Sequence, residues 1–99
     1  MEKHAKVVII GGGVVGCSIL YHLSKFGLKD CILLERNELT SGSSWHAAGN
    51  VHVISSDPNI SRMMAYTIGL YKEIEKESSH SVGFKPSGGF YLASNEVWA

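Results

Sequence analysis

Val7-Val8-Ile9-Ile10-Gly11-Gly12-Gly13-Val14-Val15-Gly16 is the stretch whose reading decides the fold. Its first four residues, all β-branched, predict a strand, its glycines a turn, and the residues after them a helix. A second apolar run, Cys31-Ile32-Leu33-Leu34, follows and ends at the acid Glu35. That order is the dinucleotide-binding fingerprint in its expected setting. Gly11 lets the chain turn tightly out of the strand. Gly13 has no Cβ, so a pyrophosphate can approach the backbone, and Gly16 lets the helix pack close to the sheet. The amides around Val14 and Val15 are expected to be free and to face phosphate oxygens at the positive end of the helix dipole. Glu35 stands 19 residues beyond Gly16, where a carboxylate can accept hydrogen bonds from ribose hydroxyls. Its charge repels a 2′-phosphate and disfavours NADP, with Arg36 beside it as the one opposing feature. The turn alone does not separate NAD from FAD.

Outward from this core, the helix is expected over residues 14–26, with Val15, Ile19, Leu20 and Leu23 facing the sheet. Gly27 should stop it. The second strand, residues 31–34, reads as a parallel strand buried on both faces. Residues 37–50 have no sustained period and predict a loop or a broken helix. Asp57-Pro58 then marks a new helix start, and apolar residues from Ile60 to Ile74 recur at helical spacing to about Glu77. Its Met63-Met64 pair reads as core packing. Gly88-Gly89 precedes Phe90-Tyr91-Leu92-Ala93, which predicts a strand after a tight turn. The fold class expected is α/β: residues 1–99 form the N-terminal part of a larger doubly wound, Rossmann-like FAD/NAD(P)-binding domain. The rest of its sheet and a substrate domain are expected elsewhere.

Nine basic and nine acidic side chains balance, which removes the electrostatic case for nucleic acid or an anionic membrane as partner. Apolar residues make up 44% of the chain, a value of folded, buried sequence and not of disorder. The longest apolar runs are too short to span a bilayer. Neither a secretory signal nor an Arg-rich presequence is legible before the first strand. The expected compartment is the cytoplasm, or the mitochondrial matrix if a presequence has been removed. Cys17 and Cys31 form no CxxC motif and read as small buried hydrophobes. No spaced set of His, Cys and acids suggests a metal.

The segment Ser41-Gly42-Ser43-Ser44-Trp45-His46-Ala47-Ala48-Gly49 narrows the function. Its small residues can wrap a cofactor and offer amides and hydroxyls to a pyrophosphate or a flavin ring. Trp45 and His46 are its large side chains. Read from the residues alone, His46 either contacts an isoalloxazine or is a surface histidine hydrogen-bonded locally.

These motifs together resemble the dimethylglycine/sarcosine dehydrogenase group of the D-amino-acid-oxidase-like flavoprotein superfamily. The resemblance rests on residues 11–16, Glu35-Arg36, and above all Trp45-His46-Ala47-Ala48-Gly49. It continues through residues 62–71 and 83–93 and so covers nearly the whole chain. It implies FAD held by Gly11, Gly13, Val14, Val15, Gly16, Glu35 and Arg36 and by residues 42–49. It further implies covalent attachment of the flavin's 8α-methyl carbon to the histidine matching His46, which raises the flavin's potential and prevents its loss. The activity implied is oxidative N-demethylation of a small N-methyl amino acid, with an electron-transfer flavoprotein or oxygen as electron acceptor and folate in a C-terminal part. An amino-acid oxidase or glycerol-3-phosphate dehydrogenase of the same superfamily is the nearest rival. A non-catalytic FAD-binding regulatory module is the rival from another class; related regulatory proteins lack the histidine, so Trp45-His46 argues for an enzyme. Two departures stand out: Asn50 replaces a common Leu, and Ser43-Ser44 replaces a pair containing Thr.

Overall fold

The computed structural model describes residues 4–94. They fall into two compact units, Met1–Gly49 and Asn50–Ala99.

In the first unit, β1 (Val7–Ile10) is followed by α1 (Val14–Lys25) and β2 (Cys31–Leu34). β1 and β2 pair in parallel, from Val7 opposite Cys31 to Ile10 opposite Leu34. Parallel pairing requires a crossover, and α1 supplies it. The register places the ends of both strands side by side, so Gly11 and Glu35 leave the sheet together. Gly11 N–H extends the pairing by donating to Leu34 O at 2.8 Å.

α1 ends where the sequence stops it. Gly27 adopts a left-handed φ of 92°. Leu28 N–H donates to Leu23 O and Gly27 N–H to Ser24 O, both at 3.0 Å. These two bonds form a Schellman cap and satisfy carbonyls that the helix leaves unpaired.

Burial differs from expectation. β2 is half-buried to exposed instead of covered on both faces. Val15 and Ile19, expected against the sheet, are 69% and 44% exposed. Leu20 and Leu23, the other two residues expected there, are half-buried. Among the described residues only Ile9, 8% exposed, is a buried apolar side chain. A two-stranded sheet with one helix against it covers one face, and the other stays open. Cys17 and Cys31 are half-buried free thiols, not fully buried ones.

In the second unit, α2 runs from Pro58 to Ser78. Asp57 caps it: its backbone is extended and its carboxylate accepts from Asn59 N–H at 2.7 Å. Pro58 occupies the first turn, where its missing N–H is harmless. Ser79 closes the helix in the left-handed region at φ 59°. The Ser61 hydroxyl ties the approach to the helix, accepting from Ser55 N–H at 3.1 Å. Met64, Thr67, Ile68, Tyr71 and Ile74 are half-buried along one stripe, but Met63 is 60% exposed and is not core. Residues 90–93 form no strand, and Phe90 and Leu92 are 100% and 97% exposed. The apolar run is there, but no partner strand pairs with it among the described residues.

Candidate functional site

The glycine turn, Glu35 and the segment after β2 enclose an open cleft of about 460 Å³ within the first unit. It is lined by residues 9–16, Ile19, Glu35 and residues 40–44.

Its geometry begins with Gly11, whose φ of 107° is open to glycine and strained for any other residue. Gly16 answers a packing demand. A Cβ there would lie 1.9 Å from Gly11 O, so the helix meets the turn only because this residue has no side chain. A Cβ on Gly13 would stand 3.2 Å from Ser44 Oγ, so Gly13 keeps the floor of the cleft low.

Glu35 does more than wait for a ribose. Its Oε1 accepts from Gly12 N–H at 3.0 Å and its Oε2 from Asn37 N–H at 2.7 Å. The bonds from Asn37 and Gly12 hold its carboxyl below the ordinary value of 4.5, and the Arg36 charge adds a smaller push in the same direction. The side chain is thereby ionised and fixed at the cleft, and each oxygen keeps a lone pair for a further donor.

The amides of the helix start are not all free. Val14 N–H donates to Ser44 Oγ at 2.8 Å, across 30 positions of sequence. Gly13, the N-cap of α1, has no side chain to do this, so Ser44 caps the helix from the neighbouring segment. The Ser44 O–H keeps its own proton to donate, and a phosphate oxygen bound in the cleft would be a suitable acceptor. Val14 and Val15 carry exposed side chains.

Gly12 is a site residue that the sequence reading passed over. It donates to Glu35, and its carbonyl accepts from Thr40 N–H at 2.8 Å. A Cβ there would lie 2.6 Å from Leu39 Cδ2. The signal was present, because the motif leaves this glycine unexplained as a turn residue.

Residues 39–46 are turns, not a regular helix. Trp45, His46 and Ala47 donate their N–H groups to Gly42, Ser43 and Ser44 carbonyls at 3.2, 3.1 and 3.4 Å. His46 Nδ1 lies 2.8 Å from Gly42 O. A carbonyl only accepts, so Nδ1 carries the proton and the lone pair of the uncharged ring lies on Nε2. Trp45 and His46 are exposed, as are Ala47, Ala48 and Gly49. The structure thus brings residues 42–44 to the cleft; Arg36 and residues 45–49 do not line it. His46 makes the local hydrogen bond of a surface histidine while remaining two residues from the cleft wall.

A parallel strand–turn–helix–strand unit with an ionised acid fixed beside its glycines defines a dinucleotide-binding protein. The chain matches the FAD dependent oxidoreductase family over residues 6–99 and belongs to that family, from which its dependence on FAD follows. It is 46% identical over 96 residues to dimethylglycine dehydrogenase, mitochondrial, of Homo sapiens, covering 97% of this chain and 11% of that protein. To human sarcosine dehydrogenase, mitochondrial, it is 41% identical over 96 residues, covering 96% of this chain and 10% of that protein. To the mitochondrial pyruvate dehydrogenase phosphatase regulatory subunit of Mus musculus it is 37% identical over 96 residues, covering 97% of this chain and 11% of that protein. The chain therefore spans about a tenth of the length of these relatives.

The cleft fits the cofactor. Its glycine floor has room for a pyrophosphate, Ser44 offers a hydroxyl proton, and Glu35 offers acceptors for ribose hydroxyls. Among the described residues no group of three or more His, Cys, Asp or Glu side chains is placed to hold a metal. No helix among them is long and apolar enough to cross a membrane.

Proposed function

We propose that this chain is the dinucleotide-binding part of an FAD-dependent amine oxidoreductase that demethylates an N-methylated glycine of the dimethylglycine or sarcosine type. The observation that carries the reading is the Glu35 carboxylate locked onto the Gly12 amide beside the glycine turn. Membership of the family and the identity to both dehydrogenases support that substrate class. In this reading residues 1–99 are an incomplete FAD-binding domain, and the substrate-binding groups, the contact with an electron acceptor and any folate site lie beyond them. Bound FAD supplies a two-electron acceptor for hydride from the substrate's carbon next to nitrogen. The chain's own part is to hold the adenosine at Glu35, the pyrophosphate over Gly11, Gly13 and Ser44, and the ring near residues 45–49. The mitochondrion is the compartment proposed, as for the two dehydrogenases. No nucleic acid or membrane partner enters the proposal.

His46 is proposed as the residue that attaches the flavin. Its Nε2 lone pair would be the nucleophile toward the 8α-methyl carbon, replacing one C–H bond of that methyl, with one proton lost from the methyl and one from the imidazole. The two electrons of that C–H bond would have to leave through the electron acceptor proposed for amine oxidation. Acid precipitation of the full-length protein tests this: the flavin should stay in the pellet, on a peptide containing His46. Flavin that washes out entirely would exclude the attachment.

A second reading, a regulatory FAD-binding module, is favoured by the likeness to the phosphatase regulatory subunit. Full-length protein that binds FAD but does not reduce it with any N-methyl amino acid would decide for that reading.

A further inference from the structure

The segment bearing His46 is joined to the dinucleotide turn at two points that no local pattern requires. Thr40 N–H donates to Gly12 O at 2.8 Å, and Val14 N–H donates to Ser44 Oγ at 2.8 Å. Thr40 adopts a φ of 63°, a left-handed backbone that a β-branched residue enters only when its surroundings impose it. The bond to Gly12 is what the structure gains from that strain. Beyond it, successive bonds from residues 45, 46 and 47 back to residues 42, 43 and 44 close the segment into one tight turn. The imidazole is bonded within the same turn, to Gly42 O. Ser44 sits in the middle of this turn and links it to α1 through its side chain.

We infer that Ser44 is a positioning residue for His46: its hydroxyl, bonded to the first amide of α1, fixes where the turn of residues 42–47 stands relative to the dinucleotide turn. This rests on the attachment reading above. Bond formation needs Nε2 held within reach of one carbon of the ring, and a misplacement of about 1 Å can slow such a step by up to about a hundredfold. The glycine turn orients the cofactor from its phosphates, while His46 approaches from another segment. The Val14–Ser44 bond is the link that sets one against the other.

Full-length protein with Ser44→Ala, supplied with saturating FAD, should attach flavin about ten to a hundred times more slowly and carry non-covalent flavin in its place. Ser44→Thr keeps the hydroxyl and should restore the rate. An unchanged attachment rate overturns the inference, as does a loss of covalent flavin strictly in proportion to total bound flavin, which marks Ser44 as a plain cofactor contact. Amide hydrogen exchange gives a second arm that needs no attachment. Ser44→Ala should lose protection at Val14 and at residues 45–47, and Ser44→Thr should not. If the unmodified protein holds no acid-resistant flavin, the attachment reading falls, and exchange alone judges the clamp: unchanged protection in Ser44→Ala overturns it.

Discussion

Glu35 is held by amides that exist in this geometry only when the chain is folded, so its carboxyl is easier to ionise folded than unfolded. The contribution to stability is fully present above the ordinary value of 4.5 and is lost as pH falls below it through the lowered folded value. Glu35→Gln should flatten the acid limb of a stability-versus-pH curve, and the Gly12 amide shift should report the titration in the unmodified protein. An acid limb that is the same in both would contradict this account. Gly13 is the second residue to test. Valine there should push against Ser44 and fill the floor of the cleft, so Gly13→Val protein should purify with much less flavin than the unmodified protein. Full flavin content would show that the pyrophosphate lies elsewhere.

At the scale of elements, the glycine spacing and the apolar runs were enough to place β1, α1 and β2, because both depend on local chemistry: steric freedom at Gly11 and Gly27, and β-branching before the turn. Asp57-Pro58 marked the start of α2 for the same reason. Asp57→Ala should cost about 1 kcal/mol and fray the first turn, seen as reduced helicity by circular dichroism. Helicity unaffected by the change would mean that Pro58 alone sets the boundary. What failed was whatever depends on distant partners. The run at residues 90–93 has strand composition, but a strand also needs a neighbour to pair with, and composition does not supply one. Val15 and Ile19 stay exposed although the helical period puts them on one face with Leu20 and Leu23, because period gives a face but not how much of it is covered. The Val14–Ser44 bond joins positions 30 apart, and no spacing rule reaches that far. Gly12 and Thr40 were missed because a glycine beside other glycines, and a threonine in a loop, carry no pattern that announces a bond to each other.

For the molecule as a whole, the balance of burial decides behaviour. Ile10, Phe26, Phe90 and Leu92 are each more than four-fifths exposed, and Ile9 is the one apolar side chain shielded from water among the described residues. Residues 1–99 produced alone should bind a hydrophobic dye, melt broadly and turn over no amine. A sharp cooperative melt with little dye binding would sink that expectation. One further consequence comes from where the cleft is encoded. Every residue that lines it lies between Ile9 and Ser44, so it belongs wholly to the unit Met1–Gly49. The last lining residue, Ser44, precedes the first residue of α2, Pro58, so no part of the cradle is drawn from that helix. FAD docked there would favour the paired strands over their open alternatives by mass action. The cofactor would then brace the very unit that holds it.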